Sequence, residues 1–320
     1  MNLNHAWRSP GAPNAQRLQL IGQKRKREIS TLLSKNLNLS DFQVERELGR
    51  GSYGVVYVVK NVTDNSTVVL KAISKLKSKR DVVENEVRVL QALKGKCKLY
   101  ILCYTGFLED DNYYYILTEF LGNYISLEDY IEGNLGNITQ DEFLTISKNL
   151  VRGLQDIHEM GVAHRDIKPA NIMINPNTLE IKFIDFGLAC YQEECKNKNV
   201  FVGSLNYMAP ELFGNSVAES LEVYQKTDIW SLVMTFFTIM HGQSFIETYF
   251  EQYFPNVNTT VDFYRIIQRL YNDRYYFYNL FQKFLRESWA NPVEERIIAQ
   301  SLEYSPKKRD LETILSLLSI

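Results

Sequence analysis

Cysteine is scarce in this sequence. Four cysteines occur among 320 residues, at Cys97, Cys103, Cys190 and Cys195. Their spacings are not the paired short spacings of a zinc site, and their density is far below that of a disulfide-rich secreted domain. We therefore expect free thiols and a reducing compartment, the cytoplasm.

Long apolar runs are also missing. The longest, Ile229 to Met240, is interrupted by Ser231, Thr235 and Thr238, whereas a membrane span needs roughly 18 uncharged apolar residues. The chain does not open with a charged and then apolar signal segment. We expect no membrane partner, while 45% hydrophobic residues provide enough material for a large core.

Charge of one sign is not in large excess, since the formal net charge is −2. The distribution is uneven, because residues 1–39 contain seven Lys or Arg against one acid, Glu28, which gives +6 there and leaves −8 for the rest. The larger part therefore lacks the basic excess that nucleic-acid binding requires. We expect no nucleic-acid partner for the folded domain.

Residues 1–39 are predicted to be a basic, partly disordered extension. Lys24 to Arg27 is an uninterrupted basic run. It is either a nuclear targeting signal or a docking strip for an anionic regulatory partner. The alternative is a solvated charge run that precedes a domain.

The motif His-Arg-Asp-Ile-Lys-Pro-Ala-Asn occupies residues 164–171. Asp166 can accept a proton from a hydroxyl, and Lys168 can neutralise charge on a transferring phosphoryl group. Asn171 and Asp185, which begins an Asp-Phe-Gly sequence, offer the oxygen ligands that a hard cation prefers. One base, one cation and two metal ligands together indicate phosphoryl transfer, where catalysis is mostly positioning and electrostatics.

This ordered motif set resembles the eukaryotic-type protein kinases. Lys168, two residues after the catalytic aspartate, is typical of their serine/threonine form. The resemblance implies an α+β, two-lobed fold, with a kinase domain over residues 40–320. The N-lobe, about 40–118, is an antiparallel sheet plus one helix; a hinge at 119–122 leads to a larger, mainly helical C-lobe, about 123–320. It also implies ATP, Mg²⁺ and a protein substrate, with Asp166 and Lys168 catalytic and Asn171 and Asp185 holding the metal.

A glycine-rich segment contains Gly49, Gly51 and Gly54. Such glycines let backbone amides approach phosphates closely, but the same spacing also occurs in Rossmann turns, which lead into a helix. Here the β-branched Val55 to Val59 segment follows, which favours a second strand and the kinase loop. The resemblance places Val56 against the adenine.

The resemblance identifies the remaining nucleotide contacts. By resemblance, Lys71 lies on a predicted strand, points at the phosphates and forms an ion pair with Glu86 of the following helix. The alternative interpretation is that Glu86 is an exposed helix residue without this role. Val69 stands where the family usually has alanine. The other contacts are Glu119, Leu121 and Met173.

Several local signals place the elements of the C-lobe. Ser126 is a helix N-cap, and Thr139 with Glu142 forms a capping box. A mostly apolar, buried helix is expected from Lys226. By resemblance, Asp228 braces the catalytic-loop backbone, and Arg309 pairs with Glu211.

Residues 243–293 are dense in aromatic side chains. They form two helical stripes: Phe263, Ile266, Ile267, Leu270 and Tyr271, then Phe277, Leu280, Phe281, Phe284 and Leu285. Packing within the lower lobe is one interpretation. The other is a docking surface for a regulatory partner.

Residues 185–211 match the activation segment of the family. From Leu188 to Gly203 the only hydroxyl side chain is Tyr191. Glu193 and Glu194 could partly replace a phosphate, with less charge and fewer acceptor oxygens, so we expect activity without phosphorylation of this segment. The alternative is that both glutamates are simply solvated.

Two other functions share the fold. A pseudokinase keeps the fold without the chemistry, but usually lacks the strand lysine or one of the aspartates. A small-molecule phosphotransferase typically lacks Lys168 and the Ala-Pro-Glu motif, which is present at residues 209–211.

Overall fold

The computed structural model describes residues 37–51, 54–197, 201–214, 219–287 and 291–319. Most of the predicted N-terminal extension, including Lys24 to Arg27, lies outside the described residues. The chain divides into two compact units. One consists of Met1–Val87 and Cys103–Gly122, and the other of Arg88–Leu102 and Asn123–Ile320. The predicted hinge at residues 119–122 and the other predicted domain limits stay predictions.

In its described part, the first unit contains a five-stranded antiparallel sheet with the strand order β1-β2-β3-β5-β4. The strands are β1 Phe42–Arg50, β2 Gly54–Asn61, β3 Thr67–Ser74, β4 Tyr104–Glu109 and β5 Tyr113–Glu119. They are rich in β-branched and aromatic residues, which favour extended backbone. The small antiparallel sheet expected for an N-lobe is confirmed.

The two faces of this sheet differ, because successive side chains on a strand point to opposite sides. One face forms an apolar core of Val55, Tyr57, Val59, Leu70, Ala72, Leu108, Tyr113, Tyr115 and Leu117. The opposite face presents Val56 directly across from Lys71, and Val69 directly across from Thr118. The register therefore groups predicted nucleotide contacts on a single face.

Helix α1, Arg80–Ala92, follows β3 and continues into a 3₁₀ turn at Leu93–Gly95. Its apolar stripe is buried, at Val83, Val87, Leu90 and Leu93. Glu86 lies on the same helix and is only 6% exposed. A carboxylate so deeply buried needs a partner.

The second unit is mainly helical. After α1, its longer helices are α2 Leu127–Gly133, α3 Gln140–Glu159, α4 Leu221–His241, α5 Phe245–Tyr253, α6 Thr260–Asn272, α7 Arg274–Glu287, α8 Pro292–Ser301 and α9 Leu311–Leu317. Its short strands are β6 Ile125–Ser126, β7 Val162–Ala163, β8 Ile172–Ile174, β9 Ile181–Phe183 and β10 Cys190–Tyr191. They pair as β6-β8-β9 and β10-β7. The fold is the two-lobed α+β arrangement that the motifs predict.

The predicted helix starts are confirmed at two caps. The Ser126 hydroxyl accepts the N–H of Asp129, and Thr139 exchanges hydrogen bonds with Glu142 in a capping box. The apolar helix α4 begins earlier than predicted, at Leu221 instead of Lys226, because the hydroxyl of Ser220 accepts the N–H of Val223. A serine cap within a polar stretch was not recognised in the sequence.

The aromatic stripes of α6 and α7 serve mainly to pack the second unit. All five apolar residues predicted for α7 are buried, as are Ile267, Leu270 and Tyr271 of α6. The ring of Phe277 lies 5.5 Å from Trp230 and 5.3 Å from Phe245. Tyr275 remains 80% exposed, and the docking surface stays a prediction.

The prediction of free thiols was wrong. Cys190 and Cys195 form a disulfide, with Cα atoms 5.1 Å apart, and Cys97 and Cys103 are also disulfide-bonded. The reason is local: after β10 the chain turns through a 3₁₀ helix, Gln192–Asn197, and brings the second thiol back to the first. Cysteine density gives no information about such a turn.

No single helix among the described residues is long and apolar enough to cross a membrane. Helices α4 and α5 meet the length and composition requirement only when taken together, and they are bent by 63° relative to each other.

Arg309 joins distant parts of the second unit and is 2% exposed. Its guanidinium donates to both carboxylate oxygens of Glu211, at 2.6 and 2.9 Å, as the resemblance predicts. It also donates to the carbonyls of Lys226, Glu303 and Tyr304. All five guanidinium N–H groups are therefore used.

We expect Arg309→Met to lower the free energy of unfolding by about 3–5 kcal/mol, because it leaves the carboxylate of Glu211 and three carbonyls without their donor. Arg265→Met is the matched control, since Arg265 is exposed and its ion pair with Asp262 is 3.8 Å long; a change within about 0.5 kcal/mol is expected there. Urea unfolding measures both. Equal stability of the two variants would contradict the assigned role of Arg309.

Candidate active site

The carboxylate of Asp228 holds the start of the catalytic loop, residues 164–171. It is 1% exposed and accepts the backbone N–H of His164 at 2.8 Å and that of Arg165 at 2.7 Å. His158 Nε2 lies 3.1 Å from the same carboxylate. Asp228 thus has the bracing contacts expected for it, and His158, at the end of α3, adds a hydrogen-bonding contact.

His164 connects the catalytic loop to the segment that leads to Asp185. Its Nδ1 accepts the N–H of Asp166 at 3.3 Å, and its Nε2 lies 3.0 Å from the carbonyl oxygen of Ile184. The tautomer with a proton on Nε2 satisfies both contacts. His164 is fully buried, so its ring sets the spacing between these two segments.

Asp166 is surrounded by donors that orient its carboxylate. Oδ1 accepts the N–H of Ser204 at 2.8 Å, and Oδ2 accepts from the side-chain amide of Asn171 at 2.7 Å. The ammonium of Lys168 lies 3.2 Å from Oδ2 and donates to the Ser204 hydroxyl at 2.7 Å. Asp166, Lys168 and Asn171 are therefore brought together in one hydrogen-bonded group, with Ser204 as a fourth member.

Two residues of this site adopt left-handed backbone conformations that side chains disfavour. Arg165 has φ of 67° and Asp185 has φ of 58°. Such strain persists only where the surroundings over-determine it, and it is common at functional sites. The two N–H bonds to Asp228 supply that constraint for the catalytic loop.

Asn171 and Asp185 fit a magnesium ion. The amide nitrogen of Asn171 donates to both the carbonyl and the carboxylate of Asp166, which leaves its side-chain oxygen for a cation. The N–H of Ile184 donates to the carbonyl of Asn171 at 3.0 Å. This bond keeps the next residue, Asp185, near Asn171, and the side chain of Asp185 is exposed. Within the described chain no group of three or more His, Cys, Asp or Glu could hold a metal, and Mg²⁺ commonly uses one or two protein ligands plus phosphate oxygens.

Lys71 and Glu86 form the predicted ion pair in the first unit. The ammonium lies 2.7 Å from Oε1 of Glu86, whose side chain is 9% exposed. Val56 and Val69 lie on the same sheet face as Lys71. On this face, the paired ammonium of Lys71 therefore lies beside the half-buried side chains of Val56 and Val69.

The three predicted loop glycines have different environments. A side chain at Gly49 or Gly51 would meet nothing within 4 Å, whereas a Cβ at Gly54 would lie 2.0 Å from the carbonyl oxygen of Ala72. Gly54 is thus required by strand packing. Gly49 and Gly51 leave open space, as a loop that approaches phosphates needs.

The remaining predicted nucleotide contacts lie in both units. In the first, Glu119 accepts the N–H of Cys103 with its side chain at 2.8 Å, and its own N–H donates to the Cys103 carbonyl at 2.9 Å. Leu121 follows and is half-buried. In the second, Met173 is half-buried on β8, across from Lys182.

Arg165 and the two glutamates of the activation segment have partners that the sequence did not reveal. Arg165 donates to the carbonyl of Leu188 at 3.3 Å and lies over the ring of Tyr224 at 4.2 Å; burial lowers the pKa of its guanidinium. Glu194 pairs with Arg88 at 2.8 Å, and Glu193 pairs with Lys196. The carboxylate suited to replace a phosphate therefore meets Arg88 of α1.

Other side chains in the site were missed by sequence reasoning. The amide of Gln225 donates to the carbonyls of His158 and Val162, and the buried Lys182 donates to the carbonyls of Cys97 and Ile101. Gln225 thus satisfies carbonyls at the end of α3 and in β7, and Lys182 satisfies carbonyls of the segment that precedes β4. Only the apolar surroundings of Lys182 in its strand offered a signal for this role.

Comparison with known proteins decides the family. The model of the protein kinase domain matches residues 42–309. The chain belongs to the protein kinase family. The predicted resemblance to eukaryotic-type kinases is thereby confirmed.

Several of its curated relatives are named serine/threonine-protein kinases. Serine/threonine-protein kinase PSK1 of Saccharomyces cerevisiae is 33% identical over 216 residues, which cover 64% of this chain and 15% of that protein. Serine/threonine-protein kinase RAD53 of the same yeast is 32% identical over 225 residues, which cover 67% of this chain and 27% of that protein. Calcium-dependent protein kinase 2 of Zea mays is 29% identical over 244 residues, which cover 73% of this chain and 45% of that protein. The chain thus spans less than half the length of each of these relatives.

Gly203 allows the close approach of Ser204 to the catalytic loop. Its φ is 112°, and a Cβ there would lie 2.6 Å from the carbonyl oxygen of Arg165. We expect Gly203→Ala to displace the Ser204 N–H from Asp166 and to lower kinase activity about 100-fold, and the backbone strain should also lower the melting temperature. Gly133→Ala is the control, because nothing lies within 4 Å of that position. Steady-state kinetics with a protein acceptor that showed both variants equally active would refute this account.

Proposed function

We propose that this chain is an active serine/threonine protein kinase, which transfers the γ-phosphoryl group of ATP to a protein hydroxyl. The observation that carries the proposal is the group formed by Asp166, Lys168, Asn171 and Ser204, in which a carboxylate, an ammonium and an amide converge within 3.2 Å. The family match and the names of the relatives support the same reaction.

The reaction needs a positioned acceptor more than a strong base. The acceptor oxygen forms a bond to the γ-phosphorus, the bond from that phosphorus to the β–γ bridging oxygen breaks, and ADP leaves with the electron pair. Asp166, whose two oxygens are fixed by Ser204 and Asn171, orients the acceptor and takes its proton late. Lys168 offsets the charge on the phosphoryl oxygens.

Nucleotide contacts are proposed in both units. Lys71 orients the phosphates while Glu86 fixes its ammonium, and Gly49, Gly51, Val56, Val69, Glu119, Leu121 and Met173 complete the set. Asn171 and Asp185 would hold Mg²⁺, which would supply positive charge to offset that of the phosphates. Gly54 contributes through its packing against β3.

A pseudokinase is the alternative. The 2.7 Å pair between Lys71 and Glu86 and the presence of both aspartates argue against it, since each of these groups serves turnover. A small-molecule phosphotransferase is disfavoured by Lys168 and by the Ala-Pro-Glu motif, whose Glu211 is held by Arg309. Protein substrate, pathway and any partner at the basic extension or the aromatic region stay open.

Asp166→Asn and Asp185→Asn separate chemistry from metal binding. We expect Asp166→Asn to lower kcat by about 10²–10⁴ with ATP affinity retained, and Asp185→Asn to abolish turnover and remove the effect of Mg²⁺ on nucleotide affinity. Calorimetric titration of ADP with Mg²⁺ or with a chelator, beside a phosphoryl-transfer assay, measures both. Asp111→Asn, in the exposed turn between β4 and β5, is the control. Wild-type protein that binds ATP but transfers nothing would favour the pseudokinase.

Lys71→Met tests the nucleotide face of the sheet. Loss of the ammonium leaves the phosphates unoriented, so we expect kcat/KM for ATP to fall by about 10²-fold or more. The melting temperature should also fall, because Glu86 becomes a buried, unpaired carboxylate. Lys79→Met, at an exposed position before α1, should change neither quantity. A fully active Lys71→Met variant would show that this face does not bind the phosphates.

A further inference from the structure

A covalent ring closes the first part of the activation segment. The disulfide between Cys190 and Cys195 spans β10 and most of the 3₁₀ helix that follows. Cys190 pairs with Ala163 and Tyr191 with Val162 in a two-stranded ladder, and the N–H of Gln192 donates to the carbonyl of Gly161 at 2.8 Å. The ring is therefore fixed to the chain that leads into the catalytic loop.

The sulfur atoms of the ring are buried. Both cysteines are 0% exposed, and they pack with Ala163, Tyr224 and Leu221. Tyr224 also carries the guanidinium of Arg165 on its ring. The ring thus shares its packing with the residue that precedes the catalytic aspartate.

Glu194 lies inside this ring, one residue before Cys195. Its carboxylate meets the guanidinium of Arg88 at 2.8 Å, with side chains 37% and 47% exposed; both residues belong to the second compact unit. The neighbouring Glu193 instead pairs with Lys196 of the same 3₁₀ helix. Only one of the two acids of the ring therefore reaches α1.

Arg88 lies two residues after Glu86 on α1. Successive helix residues turn by roughly 100°, so the two side chains point about 200° apart around the helix axis. Glu86 holds Lys71 on one side, while Arg88 is held by Glu194 on another. A contact at Arg88 therefore restrains rotation of helix α1, on which Glu86 also lies.

An exposed ion pair is usually weak, partly because two long side chains lose freedom when they form it. The ring reduces that loss, since a short disulfide-closed loop keeps the backbone of Glu194 near one position. The disulfide and the ion pair are thus coupled: opening the ring frees Glu194 without altering its charge.

We propose that Glu194 and Arg88 form a positioning ion pair for phosphoryl transfer, and that the Cys190–Cys195 disulfide makes this pair, and hence kinase activity, redox-dependent. The disulfide form is the more active one. This inference rests on the proposed kinase function.

The redox step is a thiol–disulfide exchange with a dithiol. One thiolate of the dithiol attacks a ring sulfur and forms a mixed disulfide, while the other cysteine leaves as a thiolate. The second thiol of the reductant then displaces the remaining cysteine, so the protein gains two electrons and two protons and the reductant becomes a cyclic disulfide. Because both sulfurs are buried, the segment must open locally before attack, and reduction should be slow.

The first test compares the oxidised wild type with Glu194→Gln. A fall of about fivefold in kcat/KM for ATP is expected, equivalent to ~1 kcal/mol at the upper end for an exposed pair. Glu193→Gln is the matched control and should leave activity unchanged. The double variant Arg88→Glu with Glu194→Arg should recover most of the loss that each single change causes, which a merely structural role for the loop would not produce.

The second test opens the ring. Wild type treated with dithiothreitol, and the variant Cys190→Ala with Cys195→Ala, should lose activity to a similar extent, and Glu194→Gln should add little in either background. Dithiothreitol also reaches Cys97 and Cys103, so the same treatment of the double-alanine variant isolates their effect. If dithiothreitol lowers the activity of the wild type but not that of the double-alanine variant, the proposal is supported. If dithiothreitol lowers the activity of both proteins equally, the redox part of the proposal is overturned.

Hydrogen–deuterium exchange of the amides of α1 gives a readout independent of turnover. Exchange should be faster in Glu194→Gln, in the double-alanine variant and in the reduced wild type than in the oxidised wild type or Glu193→Gln. Identical exchange in all of them would overturn the positioning role. If the oxidised wild type transfers no phosphate while these differences persist, the kinase function fails and the inference about helix positioning stands.

Discussion

One buried carboxylate, Asp228, sets the geometry on which the site depends. It accepts the N–H groups of His164 and Arg165, and this pair of bonds holds Arg165 at a positive φ that an arginine would otherwise avoid. Asp166 follows immediately, so this constraint fixes the backbone position from which its carboxylate projects, and Ser204 and Asn171 then orient the carboxylate. The charge of Asp228 is itself met by these donors and His158, as a buried carboxylate requires.

The parts of the fold encoded by local patterns were predictable from the sequence. The caps at Ser126 and Thr139, the buried stripe of α1 and the strand after Gly54 each depend on residues a few positions apart, where periodicity and capping chemistry are informative. The site residues were found because their order and spacing match a known family. Without that resemblance, Asp166 and Asp185 would be two carboxylates among 38 acidic residues.

The contacts that were not predicted form only when the folded chain brings the two residues together. Arg88 and Glu194 are far apart in sequence, and nothing in either neighbourhood specifies the other. The disulfide is different: Cys190 and Cys195 are close in sequence, but their pairing needs a strand followed by a 3₁₀ turn, and the sequence around them has no strong turn signal. The serine cap of α4 was missed because Ser220 stands in a polar stretch without apolar periodicity.

Arg165 shows how these elements limit one another. Its guanidinium is occupied by the ring of Tyr224 and the carbonyl of Leu188, and burial lowers its pKa, so an added anion at this site would have to displace an aromatic contact. Tyr224 in turn packs against the cysteines of the ring. On the same ring, the carboxylate of Glu194 pairs with Arg88 at 2.8 Å. Tyr224 therefore links the covalent ring to Arg165, the residue that precedes Asp166.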